Sequence, residues 1–136
     1  MNLSSVITDN VAELLVKIIE FTQTRQRLLC RNINNADSPG FLPMDLAVEE
    51  FTELLNDAID EHVRTKRILL RDTENVKFGI NGSFQTKPVV DEYARELLEE
   101  NRAAYLELQI DKAVENSLNQ RVAAELLRQK QGMVSV

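Results

Sequence analysis

Acidic side chains are the most frequent candidates for chemistry in this sequence, and several of them occur in pairs. Adjacent carboxylates are found at Glu49-Glu50, Asp60-Glu61 and Glu99-Glu100. Neighbouring residues on a helix point in different directions, so the two members of such a pair cannot share one site. Two further pairs share a helix face but have no His or Cys at metal-ligand spacing: Asp57 with Glu61, and Glu96 with Glu100. The acidic residues therefore predict no catalytic site and no metal site.

The single cysteine and the single histidine do not form a nucleophilic pair. Cys30 has no second cysteine with which to form a disulfide in this chain, and it is predicted to be a small buried residue on a helix. His62 lies far along the chain in an acidic segment. The sequence also lacks a glycine-rich phosphate loop. We therefore expect a protein that is not an enzyme, with no cofactor and no small-molecule substrate.

The distribution of charge argues against nucleic-acid binding. The net charge is −6, and the segment from Asp37 to His62 has eight acidic residues and no Lys or Arg. The one positive stretch, 63–90, is short and follows this acidic segment, so it forms no basic footprint. Its cluster of Lys66, Arg67 and Arg71 is interpreted as a solvated face, with a membrane-surface or partner contact as the alternative. The alternating charge blocks fit either solvated helix faces or complementary charges between stacked copies.

Composition predicts one mainly helical domain over 1–136. The aromatic content is 5%, there is no Trp, and Gly and Pro are few, which favours helices packed through Leu, Ile, Val and Ala. The longest apolar run is too short to cross a membrane. The N-terminal residues lack the pattern of a cleavable secretory signal, so composition alone predicts a cytoplasmic protein.

A long N-terminal helix is predicted within 1–36. Apolar residues recur there at the three-to-four spacing of one helical stripe, and the proposed assembly residues are Val11, Leu14, Leu15, Ile18, Phe21 and Leu28. Arg25 interrupts the stripe, as a polar residue does where it fixes the register of a helix pair. A helix of this length is about 45 Å long and needs an equally long partner.

The predicted partner is a C-terminal helix over 90–131, which has no Gly or Pro. Its proposed assembly residues step by four: Ile110, Val114, Leu118, Val122 and Leu126. A step of four advances about 40° beyond a full turn, so this row winds around the helix and can meet more than one neighbour. An intramolecular bundle would also accommodate such a row. Gly132 is placed like a helix stop. The fold class is therefore mainly α, with long terminal helices packed as a coiled-coil-like bundle.

The middle of the chain is predicted to hold a shorter helix and a small excursion. An acidic helix is expected over 45–64, with Pro43 just ahead of its start. Residues 65–89 lose the helical period, and Asn81-Gly82 is a hairpin-turn dipeptide. We expect a β-hairpin or an irregular, flexible segment there.

A rigid turn over 37–44 joins the first two helices. Pro39-Gly40 suits the centre of a type II turn, and Phe41 is placed to pack back on the first helix. The side chains of Asn32, Asn34 and Asn35 are predicted to cap the last carbonyl groups of that helix. Turn chemistry alone is shared by many folds.

The order of residues in this junction resembles the signature of the flagellar rod and hook family, Asn-x-x-Asn-x-x-Thr-Pro-Gly-Tyr near the end of a long N-terminal helix. The signature residues here are Asn32, Asn35, Ser38, Pro39, Gly40 and Phe41, with Ser for Thr and Phe for Tyr. Within the family, the chain is most similar to the proximal rod proteins of the FlgB type, and the resemblance covers both ends of the chain. Near the C-terminus it is carried by Leu106-Glu107, Ile110, Lys112, Glu115-Asn116, Leu118, Ala124 and Leu126-Leu127.

The resemblance implies a structural subunit of the bacterial flagellar basal body, exported by the type III apparatus and located in the periplasm, which replaces the cytoplasmic expectation. Family members assemble through their terminal helices. The implied partners are copies of itself, other rod proteins of the FlgC type, the adaptor FliE and the flagellar export gate. The alternative is a helical adaptor or export-chaperone-like interaction protein of the flagellar or type III secretion system.

Overall fold

The computed structural model describes residues 3–68, 70–78 and 84–134, with side chains described between residues 10 and 132. Its helices are α1 (Leu3–Asn34), α2 (Val48–Thr65), α3 (Glu92–Glu100) and α4 (Arg102–Val134). Four two-residue strands lie between them: β1 (Met44–Asp45), β2 (Val76–Lys77), β3 (Gln85–Thr86) and β4 (Val89–Val90). The mainly helical fold class is confirmed.

The two long terminal helices, α1 and α4, pack along each other as predicted. With 32 and 33 residues, they are each about 50 Å long at the usual rise of about 1.5 Å per residue. The two helices are therefore matched in length. The helix predicted within 1–36 is therefore confirmed as α1, which ends at Asn34.

The core lies where α2 and the middle segment pack on α1, and it is more aromatic than composition suggested. Phe21 and Phe51 stack with ring centroids 4.0 Å apart and planes 1° apart. Phe84 meets Phe51 edge-on at 5.9 Å, and Phe78 lies beside both rings. Four of the five Phe residues thus gather in one cluster, together with buried Leu46, Leu54 and Val76. The low aromatic content favoured packing through aliphatic residues, but the few aromatic residues converge in one place.

Helix α2 begins three residues later than the predicted start at residue 45. Met44 and Asp45 form β1, which pairs antiparallel with β4 through Met44–Val90 and Asp45–Val89. A backbone committed to a strand cannot also start a helix, so α2 starts at Val48. It ends at Thr65, where Lys66 takes a left-handed conformation with φ of 63° and donates its N–H to the carbonyl of His62.

Within the segment predicted over 65–89, the described residues contain a pair of short strands. Strands β2 and β3 pair antiparallel, with Val76 opposite Thr86 and Lys77 opposite Gln85. The Asn81-Gly82 turn lies outside the described residues. The last strand, β4, pairs with β1 rather than with this hairpin.

The single C-terminal helix predicted over 90–131 is wrong, because Asn101 divides it into α3 and α4. Asn101 is extended, with φ of −152° and ψ of 92°, and its backbone N–H closes α3 on Leu97. Its side-chain oxygen accepts from the N–H of Ala104 and so caps α4. Gly132 does not stop the helix, which continues to Val134. The absence of Gly and Pro concealed this break, since Asn both ends one helix and begins the next.

Candidate assembly interface

Asn32, the first residue of the predicted signature, is buried where three elements meet. Its amide nitrogen donates to the carbonyl of Met44 at 2.8 Å and to Oε1 of Gln109 at 3.0 Å. Its amide oxygen accepts from the N–H of Met44 at 3.2 Å. The prediction that Asn32 caps α1 is therefore wrong: the side chain joins α1 to β1 and α4 instead.

Asn35 does cap α1, as predicted. Its amide nitrogen donates to the carbonyl of Arg31 at 2.9 Å, and its oxygen accepts from the hydroxyl of Ser38 at 3.2 Å. The hydroxyl at position 38 thus holds the capping amide in place. The two asparagines have separate structural roles. Asn32 connects α1 to β1 and α4, and Asn35 caps the end of α1.

The predicted type II turn is present at Pro39-Gly40. The N–H of Phe41 donates to the carbonyl of Ser38 at 3.2 Å, and Gly40 has φ of 71°. Phe41 lines a surface hollow together with Leu28 and Arg31 of α1. The backbone conformation, rather than lack of space, requires glycine at position 40, because a Cβ there would meet nothing within 4 Å.

We predict that Gly40→Ala lowers the free energy of unfolding by about 1 kcal/mol, since Ala resists positive φ. Gly132→Ala is the matched control, because it also adds a Cβ in open space but lies within α4. It should not destabilise the protein. Urea denaturation of both variants measures the difference, and equal effects of the two substitutions would contradict the explanation from φ.

The seam between α1 and α4 is largely polar. The hydroxyl of Tyr105 donates to the carbonyl of Asn32 at 2.9 Å, and the amide of Asn116 donates to the carbonyl of Thr22 and to Oε1 of Gln26, both at 2.8 Å. Burial raises the pKa of Tyr105 to about 12, with the negative charge of Asp91 adding to the shift. The hydroxyl therefore remains a proton donor at any ordinary pH.

The inward residues of α4 were not predicted from the sequence, although a signal was present. Tyr105, Gln109, Asn116 and Ala123 are buried and are separated by four, seven and seven residues. That is heptad spacing, the pattern by which a helix keeps one face towards a partner. A periodicity of large apolar residues does not reveal it, because two of these four are amides.

A charged cluster links α1 and α4 to the strand β1 that follows the Pro39-Gly40 turn. Asp45 receives two hydrogen bonds from the guanidinium of Arg25, at 2.8 and 3.1 Å. Lys112 donates to Asp45 at 3.2 Å and to Asp91 at 2.7 Å. Burial raises the pKa of the Asp45 carboxyl, but the hydrogen bond and charge of Arg25, the charge of Lys112 and the N–H of Leu46 outweigh it, so the pKa lies below its ordinary value. Arg25 can interrupt the apolar stripe of α1 because the carboxylate of Asp45 compensates its charge.

The proposed assembly residues separate into an inner and an outer set. Those of α1 are buried or half-buried inside the chain. Those of α4 form a row on its outer side, here called the α4 ridge, and their exposed fractions are Ile110 48%, Val114 64%, Leu118 59%, Val122 51% and Leu126 44%. At one end, Val122 and Leu126 also border an apolar groove of about 310 Å³ against Leu15, Phe51 and Leu55. Of the two sets, the α4 set is the one available to another molecule.

The remaining candidates for chemistry form no reactive arrangement among the described residues. Cys30 is exposed, contrary to prediction, because its neighbour Leu29 occupies the inward position on α1. Asp57 and Glu61 do share one face of α2, where they border a surface hollow with Arg64 and Arg71. In the described part of the chain, no three His, Cys, Asp or Glu residues are grouped as metal ligands would be.

Comparisons of the chain with protein-family models, with curated proteins and with solved structures gave no match in any of the three. Within the described ranges, none of the helices combines the length and the hydrophobicity needed to cross a membrane.

Proposed function

We propose that this chain is a structural subunit of the proximal rod of the bacterial flagellar basal body, of the FlgB type. The observation that supports it most is the junction from Asn32 to Phe41. The residues of the signature make separate contacts there: Asn32 joins three elements, Asn35 and Ser38 finish α1, and Gly40 supplies the turn. Four of the six signature positions therefore make a contact, or adopt a backbone conformation, on which the junction depends.

The α4 ridge supports an assembly role for the subunit. Five large apolar side chains in one row, each about half exposed, form a surface of a kind that soluble monomers rarely leave uncovered. The row lies on a terminal helix, and it is through terminal helices that rod proteins assemble. The proposed partners are copies of the chain, FlgC-type rod proteins, the adaptor FliE and the export gate, and the proposed location is the periplasm after type III export.

A second candidate is a helical adaptor or export-chaperone-like protein of the flagellar or type III secretion system. It is favoured by one observation: α1 and α4 already pack together within a single chain. An adaptor of this kind would keep its helices ordered without partners and would stay in the cytoplasm.

Cell fractionation separates the two candidates. We expect the wild-type chain to be extracted with basal bodies, and Leu118→Asp, which puts a charge on the α4 ridge, to be lost from them. Val63→Asp is the matched control, because Val63 is 68% exposed on α2 and away from the ridge, and it should be retained. Recovery of the wild-type chain only in the cytoplasmic fraction would overturn the rod assignment and favour the adaptor.

A further inference from the structure

We infer that the α4 ridge is covered in solution by the same ridge of a second copy of the chain, with the two α4 helices crossing antiparallel beside Leu118. The result is a closed dimer. This inference does not depend on the rod assignment, because it concerns the chain on its own. In a rod, further copies and relatives would cover the ridge instead.

The shape of the ridge suits packing against itself. Residues four apart on a helix form a ridge inclined to the helix axis, and each ridge packs into a groove beside the ridge of the partner when the helices cross at about −50°. With a two-fold axis beside the middle of the row, Leu118 lies next to the crossing, with Val114 and Val122 on either side. The types of side chain repeat about this centre, with Val four residues away in both directions and a larger aliphatic residue at each end. A two-fold axis beside Leu118 therefore brings like shapes together.

The charges on the exposed side of α4 select the antiparallel direction. Its first half exposes Glu107, Asp111 and Glu115 together with Arg102, and its second half exposes Arg121 and Arg128 together with Glu125. An antiparallel crossing places the acidic half of one helix nearer the basic half of the other. A parallel crossing would place like charges on the same side, and near the crossing it would bring Glu115 towards Glu115 of the copy and Arg121 towards Arg121 of the copy.

The size of the ridge sets the strength of the dimer. The ridge offers less area than the ~800 Å² that a stable partner usually buries, because its five aliphatic side chains are only about half exposed. We therefore expect a weak dimer that dissociates on dilution. Because both partners use the same surface, the contact is satisfied by two copies and does not propagate.

The dimer is tested by analytical ultracentrifugation of the purified full-length chain over a range of micromolar concentrations. We expect a monomer–dimer equilibrium for the wild-type chain, monomer only for Leu118→Asp, and an unchanged equilibrium for Val63→Asp. Circular dichroism of each variant verifies that its helices are intact. A Leu118→Asp variant that dimerises as the wild type does would overturn the proposal. Growth beyond two copies that Leu118→Asp abolishes would also overturn it, while supporting open-ended assembly through the ridge.

The direction of crossing is tested by disulfide formation on a Cys30→Ser background, which removes the exposed native thiol. Val114→Cys and Val122→Cys are prepared separately, mixed and oxidised. An antiparallel crossing predicts that the mixed pair links several-fold faster than either variant links to itself. Faster linking of each variant to its own copy would show a parallel crossing and overturn the stated arrangement, even if the dimer itself persisted.

Discussion

Replacing Asp45 by Ala should lower the free energy of unfolding by about 3 kcal/mol. The side chains of Asp45 and Arg25 are only 11% and 12% exposed, and Lys112 binds the same carboxylate. Removing the acid leaves a buried guanidinium without its partner and takes away the acceptor of the Leu46 N–H. Loss of one member of a buried pair costs more than the pair itself contributes, because the remaining charge is left without compensation.

Asp37→Ala is the matched control for this prediction. Asp37 also pairs with an arginine, Arg102, at 2.7 Å, but its side chain is 81% exposed. Exposed pairs contribute at most about 1 kcal/mol, so this variant should remain close to the wild type. Urea denaturation of the two variants gives the comparison, and similar losses from both would refute the role assigned to burial. The double variant Asp45→Ala with Arg25→Met should recover part of the loss, since it removes the stranded charge.

The same carboxyl gives a prediction for acid pH. Since the pKa of Asp45 is lower in the folded chain than its ordinary value of 3.8, its contribution to stability is complete above that value. The contribution is lost as the pH falls through the folded pKa, because the carboxylate must take up a proton before Arg25 and Lys112 are released. Below pH 3.8, the stability of the wild-type chain should therefore fall more steeply than that of Asp45→Ala. Parallel curves for the two proteins would contradict this assignment.

Replacing Asn32 by Ala should cost about 2–3 kcal/mol of unfolding free energy. The substitution removes three hydrogen bonds and leaves the backbone N–H of Met44 and the amide of Gln109 without partners in a buried site. Gln109 already has one buried nitrogen without a hydrogen-bond partner, so the variant would leave its whole side-chain amide unsatisfied. The effect should appear in urea denaturation as a lower midpoint at an unchanged slope.

Asn35→Ala tests whether the loss of stability expected at Asn32 comes from the hydrogen bonds of Asn32 itself or would follow from changing any asparagine of the signature. Asn35 belongs to the same motif but makes exposed hydrogen bonds at the end of α1, so its loss should cost about 0.5–1 kcal/mol. An Asn35 variant as unstable as the Asn32 variant would show that the junction acts as one unit instead of through separate contacts.

Local periodicity and turn chemistry were sufficient to predict several elements of the fold from the sequence. The long amphipathic stripe identified α1, the Pro39-Gly40 pair identified the turn, and the loss of helical period identified the excursion in the middle. In each case, the residues that determine the structure are close together in the chain, so their pattern is visible without knowledge of the fold.

The remaining features depend on residues that are distant in the sequence. Arg25 is visible in the sequence as an interruption of the apolar stripe. No residue near it indicates that it pairs with Asp45, which is twenty positions away, or that Lys112 on the other terminal helix binds the same carboxylate. The position of Asn32 at the end of a helix predicted a cap, whereas its partner Gln109 lies 77 residues away. Which face of α4 lies inward could not be decided by hydrophobicity, because its buried residues include the amides of Gln109 and Asn116, while its row of large apolar residues is exposed.

The polar seam also bears on how the chain responds to mechanical load. Gln109 and Asn116 bond to α1 at points about 10 Å apart along α4, given a rise of about 1.5 Å per residue. Two helices held only by aliphatic contacts can slide past each other by one turn and find similar contacts again. Here a slide of one turn, about 5.4 Å, would break the bonds at both points together and leave their amides buried without partners. Under a shear force, the two terminal helices should therefore move together as one stiff unit and should not slide past each other.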